Sequence, residues 1–465
     1  MEIYVGNKII VQNPTEEIVR WCSRELVLSN PDYYKKVSVG KWTGNTPEHI
    51  SLFEKVADRI YLPFGCLAEV YAKYRANVPF RRLIAPLRHI KYDSAISLYP
   101  YQENAVKTAL RARNGIIVMP CGAGKTQTAL ELIARIGGRA LWLTHTQDLL
   151  FQSLNRAKAT LGIDSGSYGT ITGGKVNIGY GITFATVQTM CKIDLSQFKD
   201  AWDVIIVDEC HKAIGSPTKV MQFYEVLSSL SCRYKYGVTA TPKRADGLEK
   251  CMFALLGNVI CEVPKSAVAD TTCPVKVEVT ETGYTPDVNA VTLGDGTLNY
   301  SALVDDLTGN QNRFELVLDK CVECGRKGAT LVLANRVNYL ERMSKAAADK
   351  GLRTICLSSL GVSKAAKRIR KDALQRLNSG ELDCIFATYK LAKEGLDIPN
   401  LRYLVMVTPE KDPTTIEQSI GRVGRKADGK LYGTVIDFVD EFGMYKGWWK
   451  KRLSVYKKIG CDIIE

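Results

Sequence analysis

Apolar residues along this chain gather into short runs that stop abruptly at polar or glycine positions. Gly115–Val118, Ala140–Thr146, Ile182–Gln188, Val204–Val207 and Tyr236–Pro242 have this form in the first half. Ala329–Ala334, Cys384–Thr388, Tyr403–Val407 and Gly433–Asp437 repeat it in the second. Short, continuously apolar runs predict strands buried on both faces. Stretches between them carry helical periodicity, as Gln127–Arg135 does. Strands alternating with helices predict two parallel α/β sheets, the first taking its ligand at the strand C-terminal ends.

The remaining segments read differently. Residues 1–92 predict a small α+β accessory domain. Glu2–Val11 reads as two short strands around a Gly6-Asn7 turn, and Pro14–Val27 as an amphipathic helix capped by Thr15. Thr46–Lys55 reads as a helix opened by Pro47. Between them, Tyr33, Tyr34 and Trp42 mingle with Lys35, Lys36 and Lys41. Aromatics among cations suit base stacking and phosphate contact, though any single aromatic here fits a small core with a solvated lysine face better. The first sheet domain is assigned to residues 93–270, an interlobe linker to 271–312, and the second sheet domain to 313–440. Within the linker, Pro274–Thr280 alternates like an edge or crossover strand. Residues 441–465 form a C-terminal tail, and Trp448–Lys458 within it reads as a basic helix that docks its tryptophans.

Candidate chemistry sits where the apolar runs end. Met119-Pro-Cys-Gly-Ala-Gly-Lys-Thr126 lies between a strand and a helix, the layout of a phosphate-binding loop. Gly122 and Gly124 let backbone N–H groups face a phosphate, and the helix N-terminus adds its dipole. Lys125 suits the β- and γ-phosphates of ATP, and Thr126 suits Mg²⁺. Val204–Val207 runs into Asp208 and Glu209, a Mg²⁺ carboxylate beside a general base. Gln102 has the donor–acceptor pair that adenine N6 and N7 require, with Tyr99 or Tyr101 to stack on the base. The second half has no such loop but carries Arg422 and Arg425, spaced to share a helical face and to meet a γ-phosphate.

Composition narrows the partners. At 465 residues the chain exceeds one core, and a net charge of +14 points to a polyanion, nucleic acid before membrane. No apolar run approaches the ~20 residues of a membrane span, and the first residues lack a signal-peptide layout, so a cytoplasmic location is expected. Fourteen scattered cysteines suit reduced thiols, and the single C-x-x-C, Cys321 with Cys324, has no second pair at zinc spacing.

Taken together, these pieces resemble a superfamily 2 helicase. Gln102, "MPCGAGKT" from Met119, "LTHTQDLL" from Leu143, "TVQ" from Thr186, "DECH" from Asp208, "TATP" from Thr239, "ATYKLAKEGLDIP" from Ala387 and "QSIGRVGR" from Gln418 occur in the family's order. "GVTATPKRADG" and "EGLDIP" resemble the XPB and UvsW branch, and the N-terminal "WTGNTPEHI" and "YLPFG" resemble phage-encoded branched-DNA helicases. The resemblance implies two RecA-like lobes with ATP between them. It implies nucleotide contacts from Gln102, Cys121, Gly122, Ala123, Gly124, Lys125, Thr126, Gly395 and Asp397, Asp397 touching the ribose or interlobe contacts. Gln418, Arg422 and Arg425 would join Lys125, Asp208 and Glu209 in hydrolysis. His211, Thr239 and Thr241 would couple nucleotide to nucleic acid, with Thr186 and Thr388 at its backbone. Met119 stands where the general loop has glycine, and Tyr99 where relatives often carry arginine.

The function expected is ATP-dependent unwinding or branch migration of forked and junction DNA. An RNA helicase is the alternative. A passive nucleic-acid-binding protein is opposed by the intact Lys125, Asp208, Glu209 and arginines, and a nuclease motor subunit by the lack of a carboxylate-rich domain.

Overall fold

The computed structural model describes residues 1–213, 224–242, 247–294, 296–361, 363–393, 396 and 398–464. The chain forms two compact units. One takes in residues 1–120 and 124–264, and the other residues 265–465 with Cys121–Ala123.

The first unit holds three sheets, and the two larger ones share a common core. Strands β1 (Glu2–Val5) and β2 (Lys8–Gln12) pair antiparallel, as the Gly6-Asn7 turn predicts. They join β5 (Glu54–Val56), β6 (Arg59–Pro63) and β7 (Phe80–Arg82) in the order β5-β6-β2-β1-β7. The helix Glu16–Glu25 covers this sheet with Ile18 and Cys22; Thr15 stands at its N-cap without a side-chain cap bond.

The helix expected over Thr46–Lys55 does not form. His49–Ser51 is instead a strand, β4, paired with β3 (Val27–Ser29). Ile50 and Leu52 are buried while His49 and Ser51 are exposed, so tertiary pairing selects the period of two. The Asn30 side chain, which also caps the helix Pro31–Ser38, donates to Pro47 O at 2.7 Å and Leu52 N–H donates to Leu26 O, fixing the strand in place.

The motor sheet of the first unit runs β11-β10-β12-β9-β13-β14-β8-β15. Its strands are β8 (Asn114–Val118), β9 (Ala140–Thr144), β10 (Tyr168–Thr172), β11 (Lys175–Asn177), β12 (Ile182–Thr186), β13 (Val204–Asp208), β14 (Tyr234–Thr239) and β15 (Val259–Glu262). All its pairings are parallel except β10 with β11. Strands β8, β9, β12 and β13 are buried along their whole length, as their mainly apolar runs suggest.

The N-terminal sheet is welded to this one. Ile3, Val11, Leu62 and Phe64 share one apolar cluster with Ile205, Leu227, Met252 and Leu255. Tyr224 Oη donates to Leu52 O at 3.1 Å, and the Asn7 amide to Ser228 O at 2.6 Å. Gly65 sits so close to the end of the helix Glu249–Leu256 that an added Cβ would lie 2.3 Å from Phe253 O. Buried Lys235 donates to Leu227 O at 2.7 Å, its ammonium 4.9 Å from the Phe64 ring centroid.

The second unit is an all-parallel sheet in the order β18-β19-β17-β20-β21-β16-β22. Its strands are β16 (Val275–Glu281), β17 (Thr330–Ala334), β18 (Thr354–Cys356), β19 (Cys384–Thr388), β20 (Tyr403–Met406), β21 (Gly433–Val439) and β22 (Asp462–Ile464). Two parts of it differ from expectation. Residues 271–312, read as linker, supply β16, which lies inside the sheet between β21 and β22. They also supply the helix Tyr300–Gly309, whose Leu303 and Leu307 pack with Tyr284, Tyr445 and Trp448. The alternation of Pro274–Thr280 marks a strand but does not reveal that the chain's last residues, as β22, cover its outer side.

The C-terminal helix Gly443–Ile459 docks as its tryptophans suggest. Trp448 is buried, and Arg452 pairs with Asp437 at 2.7 Å inside the unit, while Lys450, Lys451, Lys457 and Lys458 stay exposed. A second buried pair, Arg313 with Asp440 at 2.6 Å, ties the helix Gln311–Lys327 to the end of β21. Cys321 and Cys324 lie buried on that helix in an apolar cluster with Cys384, and burial pushes the Cys324 thiol up to about 12.

Candidate active site

Adjacent strands β13, β14 and β8 bring the predicted ATP residues of the first unit to one edge. The register sets Asp208 opposite Val238, and Thr239 opposite Val118. Met119 N–H donates to Thr239 O at 2.9 Å, and its side chain is fully buried. The first loop position is therefore part of the core, and glycine is not required there.

The loop then turns through Gly122 (φ +83°) and Gly124 (φ +74°), and the helix Lys125–Ile136 starts at once. Left-handed backbone at both positions needs glycine. At Gly124 an added Cβ would lie 2.4 Å from Gln102 Nε2, the end of a side chain that would have to shift. Gln102 is buried, and its Oε1 accepts the Tyr99 N–H at 2.9 Å. That bond turns the amide so that its NH₂ end faces the loop. Tyr99 and Tyr101 stack with centroids 5.7 Å apart, leaving Tyr99 half exposed.

The carboxylates form a connected set with the lysine. Lys125 Nζ lies 3.9 Å from Glu209 Oε1, and Glu209 Oε2 lies 3.4 Å from His211 Nδ1. His211 Nδ1 is 2.7 Å from Thr239 Oγ1, which accepts the Thr241 N–H at 3.1 Å. Contacts thus run from Lys125, through Glu209 and His211, to Thr239 of β14. Asp208 Oδ1 accepts the Glu209 N–H at 2.9 Å, and Glu209 has φ +47°, a strained conformation for a non-glycine residue. Strain of this kind persists where surrounding structure over-determines it, and it clusters at functional sites. The positive φ is invisible in sequence. An alkyl-ammonium, a buried aspartate and a glycine cradle fit a nucleoside triphosphate with Mg²⁺.

Thr186 is buried, its hydroxyl 2.9 Å from that of Thr189, at the rim of a 540 Å³ cavity lined by Thr146, Gly173 and Lys192. In the second unit, Thr388 Oγ1 accepts the Leu391 N–H, and Thr388 N–H donates to Ser358 Oγ at 2.7 Å. Gly395 and Asp397 lie outside the described residues. Gln418 and Arg422 lie on the helix Pro413–Val423, with Arg422 donating to Leu396 O. Arg425 is not on that helix, contrary to expectation. The last turn closes at Gly424, whose O accepts the Cys273 N–H, and Arg425 forms a bridge with Thr272. In the first unit's N-terminal part, Trp42 is 87% exposed on a loop after the helix Pro31–Ser38, with Lys35 and Lys41 exposed nearby. Lys36 is turned inward, donating to Thr46 Oγ1 at 2.6 Å and Thr43 O, so it pins the loop and is not presented to a ligand.

A phosphate cradle and acid pair at the C-terminal edge of one parallel sheet, followed by a second parallel sheet without such a loop, define a nucleoside-triphosphate-driven motor with RecA-like lobes. Residues 95–244 match the family model "Type III restriction enzyme, res subunit", and residues 313–427 match "Helicase conserved C-terminal domain". The chain belongs to the superfamily 2 helicases. A putative ATP-dependent RNA helicase, L396 of Acanthamoeba polyphaga mimivirus, is 26% identical over 391 residues, spanning 80% of this chain and 70% of the relative. The probable helicase D10 of Escherichia phage T5 is 25% identical, spanning 100% of this chain and 96% of the relative. The DNA 3'-5' translocase XPB2 of Sulfurisphaera tokodaii is 33% identical over 166 residues, 36% of this chain and 35% of the relative. Among solved structures, S. cerevisiae Dbp5 bound to RNA and ADP BeF3 matches with a TM-score of 0.56 at 16% identity, covering 87% of this chain and 94% of that one. At that identity the likeness concerns the fold.

Proposed function

We propose that this helicase is an ATP-driven DNA helicase or translocase that unwinds or branch-migrates forked and junction DNA. Lys125 binds the phosphates, and Glu209 orients and deprotonates the attacking water. Arg422 and Arg425 supply charge as the phosphate is transferred. Thr126 and Asp208 are the residues that would hold Mg²⁺, which supplies positive charge to the phosphate oxygens. His211, Thr239 and Thr241 pass the state of the site to the strand-end loops. Residues 1–92 act as the junction-reading domain, and the phage relative supports work in the cytoplasm of an infected bacterium.

Trp42 carries this reading. The indole is 87% exposed, and its loop is held by Lys36 and by the Lys41 N–H to Lys36 O bond. A positioned aromatic beside Lys35 and Lys41 suits stacking on the end of a duplex, with phosphates on the lysines. Phosphate contacts alone carry no junction information, so a branch reader outside the motor sheets is needed. The net charge of +14 further supports a nucleic-acid partner, bound with steep salt dependence. The test is Trp42→Ala assayed on single-stranded, forked and four-way DNA. Fork and junction processing should fall several-fold while single-strand-stimulated ATPase stays near wild type. Equal processing of branched DNA by the variant overturns the assignment. The second reading, an RNA helicase, draws on the description of the mimivirus relative. ATPase stimulation by matched DNA and RNA strands separates the two.

A further inference from the structure

The segment after the helix Pro413–Val423 is held by a residue that no motif predicts. Lys430 is only 7% exposed. Its Nζ donates to Val423 O at 2.5 Å and to Arg425 O at 2.8 Å. These carbonyls flank Gly424, whose own O accepts the Cys273 N–H at 2.8 Å. The backbone of 423–425 is thereby gripped from two sides, by the approach to β16 and by the turn 427–430. That turn is closed by the Lys430 N–H to Ala427 O bond, and Cys273 Sγ donates to Lys430 O at 3.4 Å. The start of β21 presses on the same turn of helix, because an added Cβ at Gly433 would lie 2.2 Å from Val423 O.

We infer that Lys430 is a positioning residue for Arg425: its buried ammonium clamps the carbonyls on both sides of Gly424 and fixes the point from which the Arg425 side chain projects. This inference rests on the reading that Arg425 supplies charge during ATP hydrolysis. The physical case is threefold. An ammonium at a helix C-terminus meets the negative end of the helix dipole. Hydrogen bonds from a charged donor are roughly twice as strong as neutral ones. A long, exposed lysine gains nothing from burial, so a buried one bonded only to backbone carbonyls in these contacts marks a position where the backbone must not drift.

The clamp is also sensitive to pH. The groups that face Lys430 are Arg425 on its own segment, Arg402 from the approach to β20, and the Cys273 thiol from the approach to β16. Burial, reinforced by the two guanidiniums, brings the Lys430 ammonium down to about 8. Above that pH the clamp loses its charge and the carbonyls keep only neutral bonds.

The experiment is DNA-stimulated ATPase at saturating DNA, with kcat and KM for ATP measured from pH 6.5 to about 9.5, beside melting temperature. Arg425→Ala is measured first. Lys430→Met should lower kcat on the order of 10- to 100-fold, since an ångström of misplacement costs up to about that much, with KM for ATP nearly unchanged. The double variant should be no slower than Arg425→Ala. Wild type should show an alkaline fall in kcat near pH 8, displaced upwards in Lys430→Arg, whose guanidinium stays charged. A normal kcat in folded Lys430→Met, with Arg425→Ala impaired, overturns the clamp and spares the arginine reading. A normal kcat in Arg425→Ala overturns the arginine reading itself. Should Lys430→Met fail to fold, the wild-type profile decides: a flat kcat up to pH 9.5 overturns the inference.

Discussion

Replacing Gly65 by alanine tests whether the N-terminal sheet is part of the motor unit or an appendage to it. The added methyl would lie 2.3 Å from Phe253 O, 2.4 Å from Ala254 O and 2.5 Å from Gly257 N. All three are backbone atoms, and the first two are carbonyls of the helix Glu249–Leu256. Ordinary contact needs about 3.4 Å, so roughly 1 Å must open between the segment at Phe64 and that helix. No side chain can swing away to make the room. Overpacking of this kind costs about 1–3 kcal/mol. Taking ~2 kcal/mol for a unit of this size, the melting temperature should fall by roughly 4–8 °C. Gly166→Ala is the matched control, because its Cβ would meet nothing within 4 Å and no left-handed backbone is involved. It should be neutral or slightly stabilising. Thermal and urea melts of the two variants give the comparison. If Gly65→Ala melts with wild type, the close packing of the two sheets is wrong, and with it the claim of one shared core. The same geometry argues against deleting residues 1–92 as a functional test. Removal would strip Ile3, Leu62 and Phe64 from a cluster they share with Leu227 and Met252, and expose an apolar face of the motor.

Glu209→Gln should keep ATP binding, because Lys125 and the glycine loop remain, and lower turnover about 10²- to 10⁴-fold as the base is lost; nucleotide affinity beside single-turnover hydrolysis would show it, and wild-type turnover would refute the base assignment. Lys235 supplies a pH test of stability. Burial holds its ammonium below the usual lysine value. Below that folded pKa it is charged in both states and adds no pH dependence, whereas between it and an unfolded value of about 10.4 only the unfolded chain keeps the proton. Unfolding free energy should therefore rise towards pH 10 more in wild type than in Lys235→Met, measured by urea midpoints at pH 7 and 9.5. Equal slopes would place Lys235 in water.

Much of this protein was legible before folding. The mainly apolar runs of β8, β9, β12 and β13 fit strands buried on both faces. The carboxylates and hydroxyls ending β13 and β14 had to meet the loop after β8, because parallel strands bring like ends together. Spacing along the chain carries that information, so the phosphate loop and the Asp208–Glu209 pair were readable as residue types. What tertiary structure alone decided involves partners distant in sequence. Thr46–Lys55 has residues that suit a helix, and only the offer of β3 as a partner made His49–Ser51 a strand. The alternation of Val275–Glu281 marks a strand, and only its pairing with β21 and β22 places that strand inside the sheet. Arg422 and Arg425 have helical spacing, yet the helix stops between them because Cys273 and Lys430 bind the backbone that would have continued it. Periodicity reports which faces of a segment are apolar. Which backbone groups find partners outside the segment is settled only when the whole chain is assembled, and those partners turned an expected helix into a strand and set an expected edge strand inside a sheet.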